Sequence, residues 1–278
     1  MMNNHVIRDE TFVAHVIFDD INERIRVEDY RGDVQRCIRY LKQIDRQKYS
    51  KVIVKARQEH VPLFIENGFN YEGWIEGYFR GSHAHFLTFY FQMERKMSRH
   101  WCMEDQVLEA VQTKQRTVLS SLPNGYRFRK ATVTDANELS NLYRTVFAIY
   151  PAPLHDVSYV EKILKEGAMF YVIEHDGTIV SAASAEINRT YYNAELTDCV
   201  TLPDHRQHGL IKYLLQQLEA DLKHQQIFCA YSLARAQSYG MNAAFHQLGY
   251  RYSGRLANNC YIFENLEDMN IWVKDLSQ

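Results

Sequence analysis

The sequence predicts an α/β fold in which a mixed central sheet is flanked by helices, and three observations carry that prediction. From Tyr126 onward, apolar runs of strand length alternate with stretches of helical apolar spacing. Pairs of β-rich segments meet at turn signals such as His175-Asp176-Gly177, so the sheet should hold hairpins as well as crossovers. Finally, the chain echoes itself. DYRGDVQRCIRYLKQID, KVIVKAR and PLFIENGFNYEGW follow the same order as DHRQHGLIKYLLQQLE, IFCAYSLAR and AAFHQLGYRYSG. The first half therefore reads as a partial copy of the C-terminal portion of the second. The copy has lost much of the loop shape and is not expected to bind ligand.

Each element has a local reason. HVIRDETFVAHVIFDDINERIRVEDY alternates apolar and polar residues in short bursts, as hairpin strands do. Val34, Ile38, Leu41 and Ile44 are spaced as one face of a helix. KVIVKAR is a β-branched strand, HVPLFIENGF is a helix ending at Gly68, and two aromatic strands surround Gly81. Residues 93 to 122 read as a helical connector. The expected organisation is an N-terminal α/β unit over 1–95, a connector over 96–122 and a second unit over 123–278. In that unit YRFRKAT is a strand, and Thr134 with Asp135 caps the helix DANELSNLYRTVFAIY. Then follow the loop PAPLHDV, the helix SYVEKILKEG, a hairpin and the strand AELTDCVTL. Helix GLIKYLLQQLEADLKHQ, strand IFCAYSLAR, helix MNAAFHQLG and two closing strands complete the chain.

Composition excludes several classes. With 278 residues, 46% apolar and 24% charged, the chain can bury a substantial core. A net charge of −2 gives no overall field to collect nucleic acid or an anionic membrane. The 5 cysteines are odd in number, widely spread and without a CxxC pair, which suits reduced thiols in the cytoplasm. The N-terminal MMNNHVIRDE lacks the apolar core of a signal peptide, and no apolar run approaches the roughly 18 residues of a membrane span.

The stretch LPDHRQHGLIKYLL, residues 202–215, admits three readings: a solvated helix start, an anion cradle or a metal site. A strand feeding a Gly-containing turn and then a helix leaves backbone N–H groups facing one space, where the helix dipole also favours phosphate. Arg206 can add a charge-assisted contact, and Gly209 permits close approach. His205 and His208 form an HxxH, but it begins in a turn and lacks a third ligand at suitable spacing, so no metal is expected. Cys199 reads as a small buried hydrophobe rather than a nucleophile.

The segment resembles the pyrophosphate loop of the GCN5-related N-acetyltransferase (GNAT) superfamily through Pro203, Arg206 and Gly209, with LGY at 248–250 matching that superfamily's final helix ending. Ile211 departs from the usual Gly or Ala. RKATVTDANEL, VFAIYPAPLHD, ELTDCVTLPDHRQHGL, SLARAQSYGMN and EDMNIWVK are similar to the beta-lysine N6-acetyltransferase family, as is GFNYEGWIEGYFRGSHAHFLTFYF in the first half. The resemblance implies a GNAT-type sheet, acetyl-CoA as donor and the terminal amine of the small diamino acid beta-lysine as acceptor. It implies a compatible-solute product and no metal.

The resemblance also places the chemistry. The diphosphate is expected on the N–H groups of Gln207, His208, Gly209, Leu210 and Ile211, and the acetyl carbonyl and pantetheine along Val200 to Leu202. Glu195 matches by spacing the glutamate base of the histone-acetylating branch, with Asp198 the alternative. Three residues apart on a strand, only one of them should face the substrate. Phe245 stands where many relatives carry a proton-donating tyrosine, leaving Tyr239, His246 or water. Ser238 and Asn242 are candidates for the coenzyme. Tyr150, Asp156, Arg235, Asn258 and Asn259 are candidates for the substrate. A polyamine or protein lysine as acceptor, or a non-catalytic CoA sensor, remain alternatives. The first half could cover the acceptor site, extend the sheet or form a homodimer contact.

Overall fold

The computed structural model describes residues 2–117 and 121–277. In the N-terminal half, β1 (Met2–Arg8), β2 (Phe12–Asp19) and β3 (Arg24–Gly32) form an antiparallel meander. Helix α1 (Val34–Leu41) then crosses over to β4 (Lys51–Arg57), which lies parallel to β3. Asp33 caps α1 by accepting from the Arg36 N–H at 2.9 Å, and Val34, Cys37, Ile38 and Leu41 form its buried face. The apolar stripe continues to Ile44, but the helix stops at Leu41, and Ile44 packs on the same core from the following turn. Helix α2 (Val61–Glu66) ends at Gly68, whose φ of 84° lets the Phe69 N–H return to the Phe64 carbonyl. The hairpin of β5 (Asn70–Phe79) and β6 (Ser82–Tyr90) closes this half.

Helix α3 (Trp101–Gln112) leads to the second half, which begins with β7 (Tyr126–Lys130). Helix α4 (Ala136–Val146) is preceded by a reciprocal cap in which Thr132, rather than Thr134, partners Asp135. Asp135 accepts from the Thr132 N–H at 2.6 Å, and the helix ends at Val146, releasing Phe147 to Tyr150 into a loop. Then come α5 (Val157–Lys165), β8 (Met169–His175), β9 (Thr178–Asn188) and β10 (Asn193–Thr201). Helix α6 (Leu210–His224) crosses to β11 (Cys229–Arg235), and α7 (Tyr239–Gln247) precedes the hairpin β12 (Arg251–Ile262) and β13 (Asn265–Asp275).

The 13 strands among the described residues join one sheet in the order β1-β2-β3-β4-β6-β5-β12-β13-β11-β10-β9-β8-β7. The order β3-β4-β6-β5 is mirrored by β10-β11-β13-β12, and β3 with β4, like β10 with β11, is a parallel pair joined by a helix. The echo in the sequence maps onto these elements, with α1, β4, α2 and β5 matching α6, β11, α7 and β12. The halves meet where Gly73 on β5 pairs with Gly254 on β12. A Cβ at Gly254 would lie 2.4 Å from the Gly73 Cα and 2.2 Å from the Glu72 carbonyl oxygen, so the approach requires glycine on both strands.

Candidate active site

The site begins where β10 and β11 part. Their parallel ladder holds from Asn193↔Cys229 to Glu195↔Tyr231 and stops there, while β11 stays paired with β13 along its length. A bulge between Thr197 and Val200 bends β10 away and puts Asp198 at a φ of 54°. The wedge opens into a groove of about 830 Å³ lined by β10, the start of α6, the end of β11 and α7. The end of the groove at α6 is where the sequence reading expects the anion. Positive φ values of 68° at Gln207 and 73° at Gly209 curl the backbone into a concavity, and no side chain caps α6. Arg206, Gln207, Gly209, Leu210 and Ile211 line the groove there, as does Val200 further along β10. These residues fit a phosphorylated, thioester-bearing donor.

Beyond the bulge lies a second cavity of about 140 Å³, which shares Tyr150, Thr197, Asp198, Leu233, Ile262 and Met269 with the groove. One of its walls is acidic, formed by Glu186, Glu195 and Asp198. Both Glu195 and Asp198 face this cavity, contrary to strict alternation, because the bulge restores Asp198 to the side that Glu195 occupies. Asp198 is 8% exposed; its carboxylate accepts from Ser184 Oγ at 2.6 Å and from the Tyr150 hydroxyl at 3.2 Å. The Tyr143 hydroxyl holds its backbone carbonyl. Burial pushes the Asp198 carboxyl up to about 6, the two hydrogen bonds pull it back, and Glu195 adds to the rise. Burial, then Glu186, raises Glu195, against the opposing pull of Lys55 and Arg26. Glu186 is open to the cavity yet ringed by protein, and it too is raised, by burial and then by Asp198.

The opposite wall comes from the N-terminal half. Arg26 and Glu28 on β3 and Lys55 on β4 line it. Arg26 Nε bonds Glu28 at 3.0 Å, and Lys55 is paired with Glu28 and with the Tyr78 hydroxyl. Burial opposes the charge on Glu28, but Lys55 and Arg26 outweigh it and bring the carboxyl to about 2. Arg24 is committed to Asp19 at 2.8 Å and to the Asn259 carbonyl at 3.0 Å.

Several residues expected at the site lie elsewhere. Asn242 is fully buried; it donates to the Arg235 and Ser238 carbonyls and accepts from Asn270 and Trp272, so it ties α7 to β13. Leu202 spends its N–H on the Val180 carbonyl and packs into the core. The His208 ring lies against Tyr126, 5.6 Å away, outside the groove lining. Asp156 is an exposed N-cap of α5, bonded to Ser158. Asn258 binds the Arg95 carbonyl and accommodates a φ of 41° at a β-bulge. Asn259 does line the second cavity, and Tyr150 lines both. Ser238, Tyr239 and Arg235 line the groove, with Arg235 also paired to Glu267 at 2.8 Å. Tyr239 is 41% exposed, whereas Phe245 is fully buried against Tyr250. His205 is bonded to the Tyr126 hydroxyl, and among the described residues no group of three or more His, Cys, Asp or Glu could hold a metal.

Arg26, Glu28, Lys55, Ser184, Glu186 and Thr197 escaped the sequence reading. A signal existed: RIRVEDY puts Arg24, Arg26 and Glu28 at every second position of an interior strand, where one face should be apolar.

The fold and the groove define an acetyl-CoA-dependent N-acetyltransferase of the GNAT type, and the Acetyltransferase (GNAT) family model matches residues 136–250. Whole-chain relatives narrow the class. N-acetyltransferase YodP of Bacillus subtilis (strain 168) is 37% identical over 97% of this chain and 98% of its own. Two proteins named beta-lysine N(6)-acetyltransferase are each 35% identical. That of Methanococcus maripaludis aligns over 92% of this chain and 93% of its own, and that of Methanosarcina mazei over 83% and 93%. The chain belongs to the beta-lysine N6-acetyltransferase family of the GNAT superfamily.

Proposed function

We propose that this enzyme transfers the acetyl group of acetyl-CoA to the terminal (N6) amine of beta-lysine. One observation carries the reading: a small acid-walled cavity meets the coenzyme groove at Thr197 and Asp198. The cavity, at about 140 Å³, suits an aliphatic diamine acid rather than a peptide. Its acids suit ammonium groups. The names of the relatives support the same acceptor.

Asp198 is the proton acceptor in this reading, because it alone of the three acids lines both spaces. An alkyl ammonium, with a pKa of about 10.4, must lose a proton before its nitrogen can attack. Asp198 takes that first proton and releases it to solvent. The freed nitrogen then bonds to the thioester carbon, the C–S bond breaks, and the second nitrogen proton passes to Tyr239 or water as that group protonates the departing thiolate. Glu195, which lines only the acceptor cavity, holds ammonium rather than relaying the proton. The groove residues Arg206, Gln207, Gly209, Leu210 and Ile211 anchor the diphosphate, and Ser238 contacts the coenzyme. Acetylation cancels one of the substrate's two positive charges and yields a neutral zwitterion. That suits a solute accumulated in the cytoplasm for osmotic balance.

An acetyl-CoA consumption assay across beta-lysine, alpha-lysine, polyamines and a lysine peptide tests the acceptor. Beta-lysine should be turned over with the highest kcat/KM. Preference for a peptide or for alpha-lysine would overturn the acceptor assignment, and no turnover with any amine would leave a coenzyme sensor.

A further inference from the structure

We propose that the N-terminal half-sheet supplies the acceptor's carboxylate counter-site, with Arg26 as the direct contact, and that it thereby selects diamino acids over diamines. The inference rests on the acetyl-transfer reading above and adds what the first half of the chain contributes to it.

The argument starts from register. In the ladder of β3 with β4, Arg26 is the third paired residue after Arg24 and Ile25; in that of β10 with β11, Glu195 is the third after Asn193 and Ala194. The mirrored strand order makes these two positions equivalent, and both side chains line the same cavity. The duplicated position therefore carries a cation from one half and an acid from the other. The result is a cavity with two poles.

At the cationic pole Arg26 and Lys55 make their direct ion pairs with one acid, Glu28, while Glu186 and Glu195 act on both from across the cavity, and Lys55 is fixed against Glu28 and the Tyr78 hydroxyl. Arg26 reaches Glu28 through Nε, which leaves the fork of the guanidinium as the natural partner for a planar carboxylate. Asn259, 2% exposed, lines the same cavity, and its Oδ1 has no hydrogen-bond partner among the described residues. A buried acceptor of this kind costs stability unless a ligand donor meets it, and a second ammonium would do so. Carboxylate at Arg26, an inner ammonium near Asn259 and Glu195, and the reacting amine at Asp198 follow the order of groups along a 3,6-diaminohexanoate.

The test compares beta-lysine with 1,4-diaminopentane, the same molecule without its carboxyl group. For the wild type, kcat/KM for the amino acid should exceed that for the diamine by about 100-fold, the scale of a desolvated charge pair. Arg26→Gln should collapse this ratio to within a few-fold of one, chiefly through KM for beta-lysine. Arg26→Lys, which keeps the charge and loses the fork, should fall between. The wild-type ratio needs no variant, so a folding defect in Arg26→Gln cannot obscure it. Equal use of both acceptors by the wild type, or proportionate loss on both in Arg26→Gln, would show a merely structural arginine and overturn the inference while acetyl transfer stands. Turnover of neither acceptor would overturn both.

Discussion

Replacing Asp198 with Asn removes the proposed base with little change of shape, and its consequences can be worked out on two axes. Asn tolerates the left-handed backbone that the bulge imposes at φ 54°, and its amide can still meet Ser184 and Tyr150. What disappears is the capacity to take a proton. Loss of a positioned general base costs about 10²- to 10⁴-fold in kcat. The pH profile supplies a second signature. With the folded carboxyl at about 6, wild-type kcat/KM should rise about tenfold per pH unit below that point and flatten above it. In Asp198→Asn this limb should be gone.

Stability should move the other way. The folded chain keeps the Asp198 proton up to about pH 6, whereas the unfolded chain loses it near the ordinary value of 3.8. Between those pH values the folded state binds more protons, so stability falls as pH rises through the window. The accumulated cost at neutral pH is roughly 3 kcal/mol. Asn resembles the protonated acid and escapes this cost, so the variant should melt several degrees higher at pH 7.5 and match the wild type below about pH 4. Steady-state kinetics and melting curves over pH 4 to 8 check both. A variant that keeps turnover within threefold, or an acid limb that vanishes in Glu195→Gln instead, would refute the assignment of the base.

Other perturbations probe the groove and the seam. Arg206→Ala should raise KM for acetyl-CoA by about tenfold with little change in kcat, since a phosphate contact is made equally in ground and transition states. Gly209→Val forces a β-branched residue to φ 73°, at a cost of about 1–3 kcal/mol, and should weaken coenzyme binding measured by calorimetry. Tyr239→Phe should lower kcat by about tenfold or more if the hydroxyl protonates the thiolate, and leave it unchanged if water does. Gly254→Ala places its Cβ inside the contact distance of Gly73, so the seam must open; the melting temperature should fall and KM for the acceptor should rise more than KM for acetyl-CoA.

The sequence by itself determined the parts that depend on local chemistry. Strand and helix periodicity, the glycine that ends α2 and the turn before α6 all follow from residues within a few positions of one another. The proposed phosphate-binding turn was legible for the same reason: Arg206, Gln207 and Gly209 are neighbours in the chain and in space. Tertiary structure decided what was not local. Alternation put Glu195 and Asp198 on opposite faces, and only the bulge, a departure that propensity does not announce, brought them together. Asn242, a candidate for the coenzyme by its place in the sequence, proves to be bonded to Asn270 and Trp272 of β13. Arg26 and Lys55 stand far from Glu195 in sequence, and no spacing rule could join them. They meet because two mirrored half-sheets are joined through Gly73 and Gly254, and the charge each half carries at its equivalent strand gains meaning only across that seam.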